Sequence, residues 1–206
     1  MQRFVLRENI SRFRGLLAAE TDLRQRAILR SLTLTAEREL AVLDAAALGA
    51  EPFGAFYDAR GPADRSSRQT SEFADLLGRA SENYLLLDPR PGLHIIDLND
   101  AYANTTMVSR AAVVGERLFE VFPDNPDDPE ADGVSNLFRS LQIVAETKRP
   151  HAMPILRYDV RDNEGQFVTR YWRPINTPLF SNTGALVYIL HQAEDVTNGV
   201  ALTRPG

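Results

Sequence analysis

The chain of 206 residues carries a net charge of −5, 44% apolar and 25% charged residues, and no cysteine. That balance suits one ordinary domain with an appended segment, and excludes wholesale disorder, disulfide scaffolds, thiolate catalysis and cysteine-bound metal. No apolar run approaches the roughly 20 residues that span a bilayer, and "MQRFVLRENISRFRG" has no h-region, so a cytoplasmic protein is expected, without membrane or nucleic-acid partners.

Phe4, Val5, Leu6, Ile10, Phe13, Leu16 and Leu17 recur near the helical period. Thr21 and Asp22 then offer capping oxygens before a second stripe of Leu23, Ile28, Leu29, Leu32, Leu40 and Leu43. The pattern predicts a helical hairpin over 1–48 that needs a further surface, either the rest of the chain or a second copy. It is expected to serve dimerisation or partner binding. Residues 49–71, "GAEPFGAFYDARGPADRSSRQTS", read as a linker, with Phe53, Phe56 and Tyr57 free to dock on a folded neighbour.

A short helix is predicted around 72–80. "NYLLLD" (83–88) and "GLHIID" (92–97) form two strands around a proline turn. Short helical turns follow in "LNDAYANTT" and "SRAAVVGERLFEVFP". A longer helix has Asp128 and Pro129 as cap and first-turn residue, one apolar face made by Val134, Leu137, Phe138, Leu141, Val144 and Ala145, and an end at Lys148, Arg149 and Pro150. Three strands are predicted over 152–160, 167–180 and 185–196. The grouping of strands and helices points to an α+β fold with an antiparallel sheet.

Pro174 and Pro178 fall inside the long strand, so a bulge or an unpaired stretch is expected there. The last strand is apolar on both faces, and the leading helices, from the same chain or from a partner, are the expected cover for its outer face.

Several stretches, in order over 82–197, resemble the PAS domain family of sensory modules. "IIDLNDAY" is similar to its second strand and Asn-x-Ala helix turn, with Asn99 and Ala101 in place. "GERLFEVFP" resembles its short-helix segment from Gly115 to Pro123, "ETKRP" the end of its long helix, and "EDVT" its closing Asp-x-Thr motif, with Asp195, Val196 and Thr197. "VFPDNPDDPEADGVSNLFRSL" and "RYWRPINTPLFSNTGALVYILHQAEDVT" resemble segments placed ahead of the kinase core in bacterial sensor histidine kinases.

The resemblance implies a PAS-like five-stranded antiparallel sheet with short helices on one face, preceded here by the N-terminal helical hairpin. It places the sensory domain at 72–197 with a tail at 198–206, and makes Asp195 and Thr197 the residues that pass a signal into an output helix. The implied function is a cytoplasmic signalling module that senses a small molecule or cofactor and regulates a two-component-type output. It would act as a homodimer with a histidine kinase or other signalling protein as partner. The alternative is a ligand-free dimerisation module.

Catalysis is not expected. The chain has no Gly-rich nucleotide loop and no G-x-S-x-G, and His94, His151 and His191 sit in no phosphoacceptor context. Either the output lies in another protein or the chain is the sensor portion of a longer one.

The acidic run Asp124, Asp127, Asp128, Glu130 and Asp132 fails the EF-hand pattern, since Arg139 stands where the last glutamate would be; no metal is expected, and favourable charge at a helix start is the plainer reading. Tyr158, Trp172, Arg173 and Asn176 join apolar bodies to polar tips on adjoining strands and are the candidate ligand-binding residues, with sheet packing as the competing role. His191 is the one histidine placed to reach a cavity, as a haem ligand or as a packed strand residue. The flavin relatives that respond to light depend on a cysteine absent here. The cofactor is left unassigned.

Overall fold

The computed structural model describes residues 1–51, 77 and 80–201. Helices α1 (Gln2–Ala19) and α2 (Leu23–Leu48) fold back on each other across three residues. The turn is made by side chains. Asp22 Oδ1 accepts from the backbone N–H groups of Arg24 (3.0 Å) and Gln25 (2.9 Å), while Arg26 closes the end of α1 on the carbonyls of Leu17 and Glu20. Leu6, Ile10 and Ala36 form the hairpin's own small core with Leu40 and Leu43. Of the other apolar residues in the first stripe, Phe13 and Leu17 are half-buried, while Phe4 (67%), Val5 (48%) and Leu16 (47%) are exposed.

The second unit starts with β1 (Tyr84–Leu87) and β2 (Ile95–Leu98), followed by α3 (Asp100–Thr106), α4 (Arg110–Val113), α5 (Leu118–Val121) and α6 (Gly133–Thr147). Then come β3 (His151–Ala152), β4 (Leu156–Arg157), β5 (Val160–Arg161), β6 (Phe167–Val168), β7 (Tyr171–Phe180), β8 (Leu186–Asp195) and α7 (Thr197–Ala201). The sheet is antiparallel with order β2-β1-β8-β7-β3, β4 also pairing with β7, and β5 with β6 forms a separate two-stranded piece. This is the expected α+β architecture of five strands, with the third strand broken into β3 and β4. Pro154 lies in the break and has no N–H to give a ladder.

That break resolves the proline conflict differently from the expected bulge. β7 stays paired with β8 through both prolines, Pro174 opposite Ala193 and Pro178 opposite Ile189. The carbonyl of Pro174 accepts from Met153 N–H, so the missing donor of Pro174 faces the third strand where that strand is interrupted. Pro178 has the same parity and lies past the start of β3, so its missing donor also faces no partner in the ladder. The register slips only between Leu179 and Phe180, beside the turn.

Asn99 shows why the Asn-x-Ala turn forms. Its Oδ1 accepts from Tyr102 N–H (3.0 Å), capping α3, and from Tyr84 N–H (3.1 Å), while its Nδ2 donates to the Glu82 carbonyl (2.7 Å). One buried side chain thus fixes the entry to β1 and the start of α3.

α6 begins at Gly133, four residues or more beyond the Asp128-Pro129 start that the sequence pattern suggests. The residues before it are drawn into side-chain and backbone contacts instead: Asp128 N–H donates to the Asn125 carbonyl, and Asp124 Oδ1, not Asp128, takes an N–H of the first turn, that of Val134 at 3.0 Å. Leu137, Phe138, Leu141, Val144 and Ala145 pack inward from α6.

The leading helices do not lie on the outer face of the sheet. α2 packs on α6, on the helical side of the domain, and its end is tied to the β1–β2 turn by Ala50 N–H to the Pro89 carbonyl and Gly92 N–H to the Ala45 carbonyl, both 2.8 Å. Gly49 is required there: its φ is 65°, and a Cβ would meet the Pro89 oxygen at 2.3 Å. On the outer face Leu86 and Tyr188 are buried whereas Ile175 is exposed. The expectations for 52–71, including docking of Phe53, Phe56 and Tyr57, and for most of 72–80 lie outside the described residues.

Candidate functional site

Between the inner face of β7 and β8 and the short helices lies a cavity of about 40 Å³, mostly apolar. Leu118 of α5, Leu137 of α6, Met153 and Leu156 of the broken third strand, and Trp172 and Ala193 of the sheet wall it. Its polar lining comes from Tyr102, Thr106, Tyr158, Asp159 and His191.

Most of those polar groups are already engaged. Tyr158 donates its hydroxyl to the Phe122 carbonyl (2.5 Å), and Trp172 donates Nε1–H to the Tyr158 carbonyl (2.8 Å). The Asp159 carboxylate holds Arg157 through both oxygens (2.8 and 2.6 Å) and Asn125 (3.1 Å). Thr106 donates to the Tyr102 carbonyl (2.7 Å).

Two are not. His191 Nδ1–H donates to Asn176 Oδ1 (2.8 Å), because the other end of that carboxamide donates to Ser140 Oγ (2.8 Å). The ring is therefore held as the tautomer whose Nε2 carries the lone pair, and no hydrogen bond from the described residues reaches it. The Tyr102 hydroxyl likewise has no partner among them, and the two rings meet edge-on with centroids 6.0 Å apart. Burial lowers the His191 pKa to about 4, so the imidazole is neutral at physiological pH, and burial raises that of Tyr102.

Of the residues singled out in the sequence, Tyr158, Trp172 and His191 line the cavity, and Asn176 stands behind His191 as its orienting partner. Arg173 lies on the opposite face of β7, exposed, with its guanidinium on Glu194 (2.9 Å). Tyr102, Thr106, Leu137 and Met153 were not read as site residues. The only available signal for Tyr102 was its place three residues after the capping Asn99.

Asp195 and Thr197 act together at the end of the sheet. Asp195 Oδ1 accepts from Thr197 N–H (2.9 Å), Thr197 Oγ1 accepts from Tyr171 N–H (3.0 Å), and Val196 N–H donates to the Tyr171 carbonyl (2.9 Å). The end of β8 is thereby locked to the start of β7 just where α7 begins.

The acidic run is a junction. Arg38 of α2 lies 3.0 Å from Asp124 Oδ2 in an ion pair whose N–H does not aim at the oxygen, and its Nη2 donates to the Ala131 carbonyl (2.8 Å). Arg30 of α2 pairs with Glu130 (2.8 Å), and Arg157 of β4 pairs with Asp128 (2.6 Å). Residues 124–131 thus bridge the leading helix and the strand that walls the cavity. Desolvation raises the pKa of Asp124, with Val134 N–H and Arg38 acting against it. Among the described residues no group of three or more metal-binding side chains occurs, and no helix is long and apolar enough to cross a membrane.

No family model and no curated protein matches the chain. Solved structures do. A variant of the light-oxygen-voltage protein RsLOV aligns over 68% of this chain and 72% of its own, with a TM-score of 0.50 and 14% identity. The PAS domain of the fruit-fly ELK potassium channel aligns over 62% of this chain and 96% of its own (TM-score 0.45, 15% identity), and an RNA-binding light-oxygen-voltage receptor over 69% and 37% (TM-score 0.46, 15% identity). The chain has the PAS fold. Neither a flavin nor a haem fits the cavity, since about 40 Å³ falls far below the roughly 300 Å³ or more of a site for a drug-sized ligand.

Proposed function

We propose that this chain is a bacterial PAS signalling module, cytoplasmic and non-enzymatic, which senses a small molecule in the cavity and regulates a two-component-type output. Residues 72–197 would form the sensory domain and 1–48 the segment through which a homodimer, or a histidine kinase or other signalling protein, is engaged. Neither nucleic acid nor membrane is part of the reading.

One observation carries it: the cavity wall is continuous with the leading helices. Tyr158 and Phe122 line the cavity and are hydrogen-bonded to each other, and Asp124, two residues beyond Phe122, meets Arg38 of α2. A molecule that moves this wall moves groups on which α2 rests. Asp195 and Thr197 supply a second exit, through the lock on Tyr171 and into α7.

Native mass spectrometry of the freshly purified full chain tests the reading. A dimer carrying a reproducible extra mass is expected; protein that carries no extra mass and gains no thermal stability from any candidate metabolite would count against sensing.

The ligand-free dimerisation module remains the second reading, supported by Leu23 (82% exposed), Phe4 (67%) and Ile28 (54%) on the hairpin. Glutamate at Phe4, Leu16 and Ile28 should then dissociate the dimer in sedimentation. An unchanged dimer would remove the hairpin from the interface.

A further inference from the structure

We propose that the cavity selects small uncharged molecules that donate a hydrogen bond, short alcohols or primary amides of about three to five heavy atoms, with His191 Nε2 and the Tyr102 hydroxyl as the recognition pair. This rests on the reading of the cavity as a ligand site and names the chemistry it takes.

The polarity follows from Asn176. Because its carboxamide fixes His191 as a donor through Nδ1, the atom left over is an acceptor, and an occupant must bring the proton to it. His191 and Tyr102 are 4% and 5% exposed, so the space they face is largely closed to bulk solvent. A hydroxyl or carboxamide can donate to His191 Nε2 and still accept from the Tyr102 hydroxyl. A ketone or ether can use only the tyrosine.

Charge selection follows from what faces the space. Among the described lining residues the one carboxylate, Asp159, is taken up by Arg157 and Asn125, and none carries a cationic side chain. A carboxylate or ammonium ligand would enter without a counter-charge and lose its hydration. Size follows from volume. A water needs roughly 10–15 Å³ on this measure, so about 40 Å³ takes the equivalent of about three waters. Met153, unbranched and set in the interrupted third strand, is the wall residue best able to move aside for a larger member of the class.

The test uses the 15N-labelled full chain titrated with four probes of similar size: isopropanol, acetamide, acetone and acetate. Saturable shifts at His191, Tyr102 and the Trp172 indole are expected with isopropanol and acetamide, acetone weaker by roughly five- to tenfold as for one lost hydrogen bond, and none with acetate. His191→Phe should abolish the preference over acetone. Tyr102→Phe, which removes a hydroxyl with no partner among the described residues and so preserves the fold, should weaken isopropanol severalfold. Equal binding of acetone and isopropanol, or saturable binding of acetate, would overturn the proposal. A persistent extra mass on fresh protein with no response to the four probes would overturn it while leaving the sensing reading standing. Neither extra mass nor response would overturn both.

Discussion

The carboxamide oxygen of Asn176 lies 2.8 Å from Nδ1 of His191, directly across the β7–β8 pair, and the two residues are 0% and 4% exposed. With Ser140 Oγ on Asn176 Nδ2 and His151 Nδ1 on Ser140 Oγ (2.7 Å), they form a line of polar contacts from the half-buried third strand to the cavity. Replacing Asn176 by Leu strands the buried His191 and Ser140 groups together. A loss of about 2–4 kcal/mol in urea unfolding is expected, and a loss below about 1 kcal/mol would contradict this arrangement.

Stability should depend on pH through His191 with a definite sign. The group titrates at 6.5 when unfolded and at about 4 in the fold, so the unfolded chain takes up the proton first. Acid therefore withdraws stability between pH 6.5 and 4, by up to about 3 kcal/mol. Asp124 acts oppositely, because its raised pKa lets the folded state protonate first. Unfolding free energies of wild type and His191→Gln should converge as the pH falls through that window; parallel curves would contradict the assignment.

The two cavity tyrosines should separate. Tyr158→Phe loses the bond to the Phe122 carbonyl and should cost about 1–2 kcal/mol, whereas Tyr102→Phe removes a hydroxyl without a partner among the described residues and should be neutral or stabilising. Thermal melts of the two variants check this.

Gly133 admits the Tyr158 ring. A Cβ there would lie 2.5 Å from Tyr158 Cγ, although the backbone is ordinary helix. Gly133→Ala should thus destabilise by about 1–3 kcal/mol, against the usual gain of alanine in a helix. A stabilised variant would show that the ring moves freely.

Breaking the Arg38–Asp124 pair should be costly from one side only. Arg38→Met leaves a carboxylate 1% exposed without its cation and should lose about 3 kcal/mol, while adding Asp124→Asn should restore part of it. Additive losses in this double-mutant cycle would contradict a direct coupling.

Local signals carried much of this fold. Asp22 before an apolar stripe marked the start of α2, the proline turn joined β1 to β2, and Asn99, Asp195 and Thr197 stand where the motif order put them. The misses share a cause. Apolar spacing over 152–160 and 167–180 reads as two strands, but the ladder depends on which side each residue faces, and Pro154 with Pro174 determines that only once register is known. Arg38 and Asp124 are 86 positions apart in numbering, and Tyr102 and His191 farther still. Nothing local foretells that helices and strands from across the domain leave a hole lined by two polar atoms without a partner among the described residues.

Hydrogen exchange on the full chain, with the cavity filled from within, reads out whether the cavity is coupled to the leading helices. Ala193 lines the space, and Ala193→Val adds two methyl groups to it. Altered protection is expected in α2 around Arg38 and in residues 124–131, beyond the changes at β7 and β8. Changes confined to the two strands, with α2 protected as in the wild type, would contradict it.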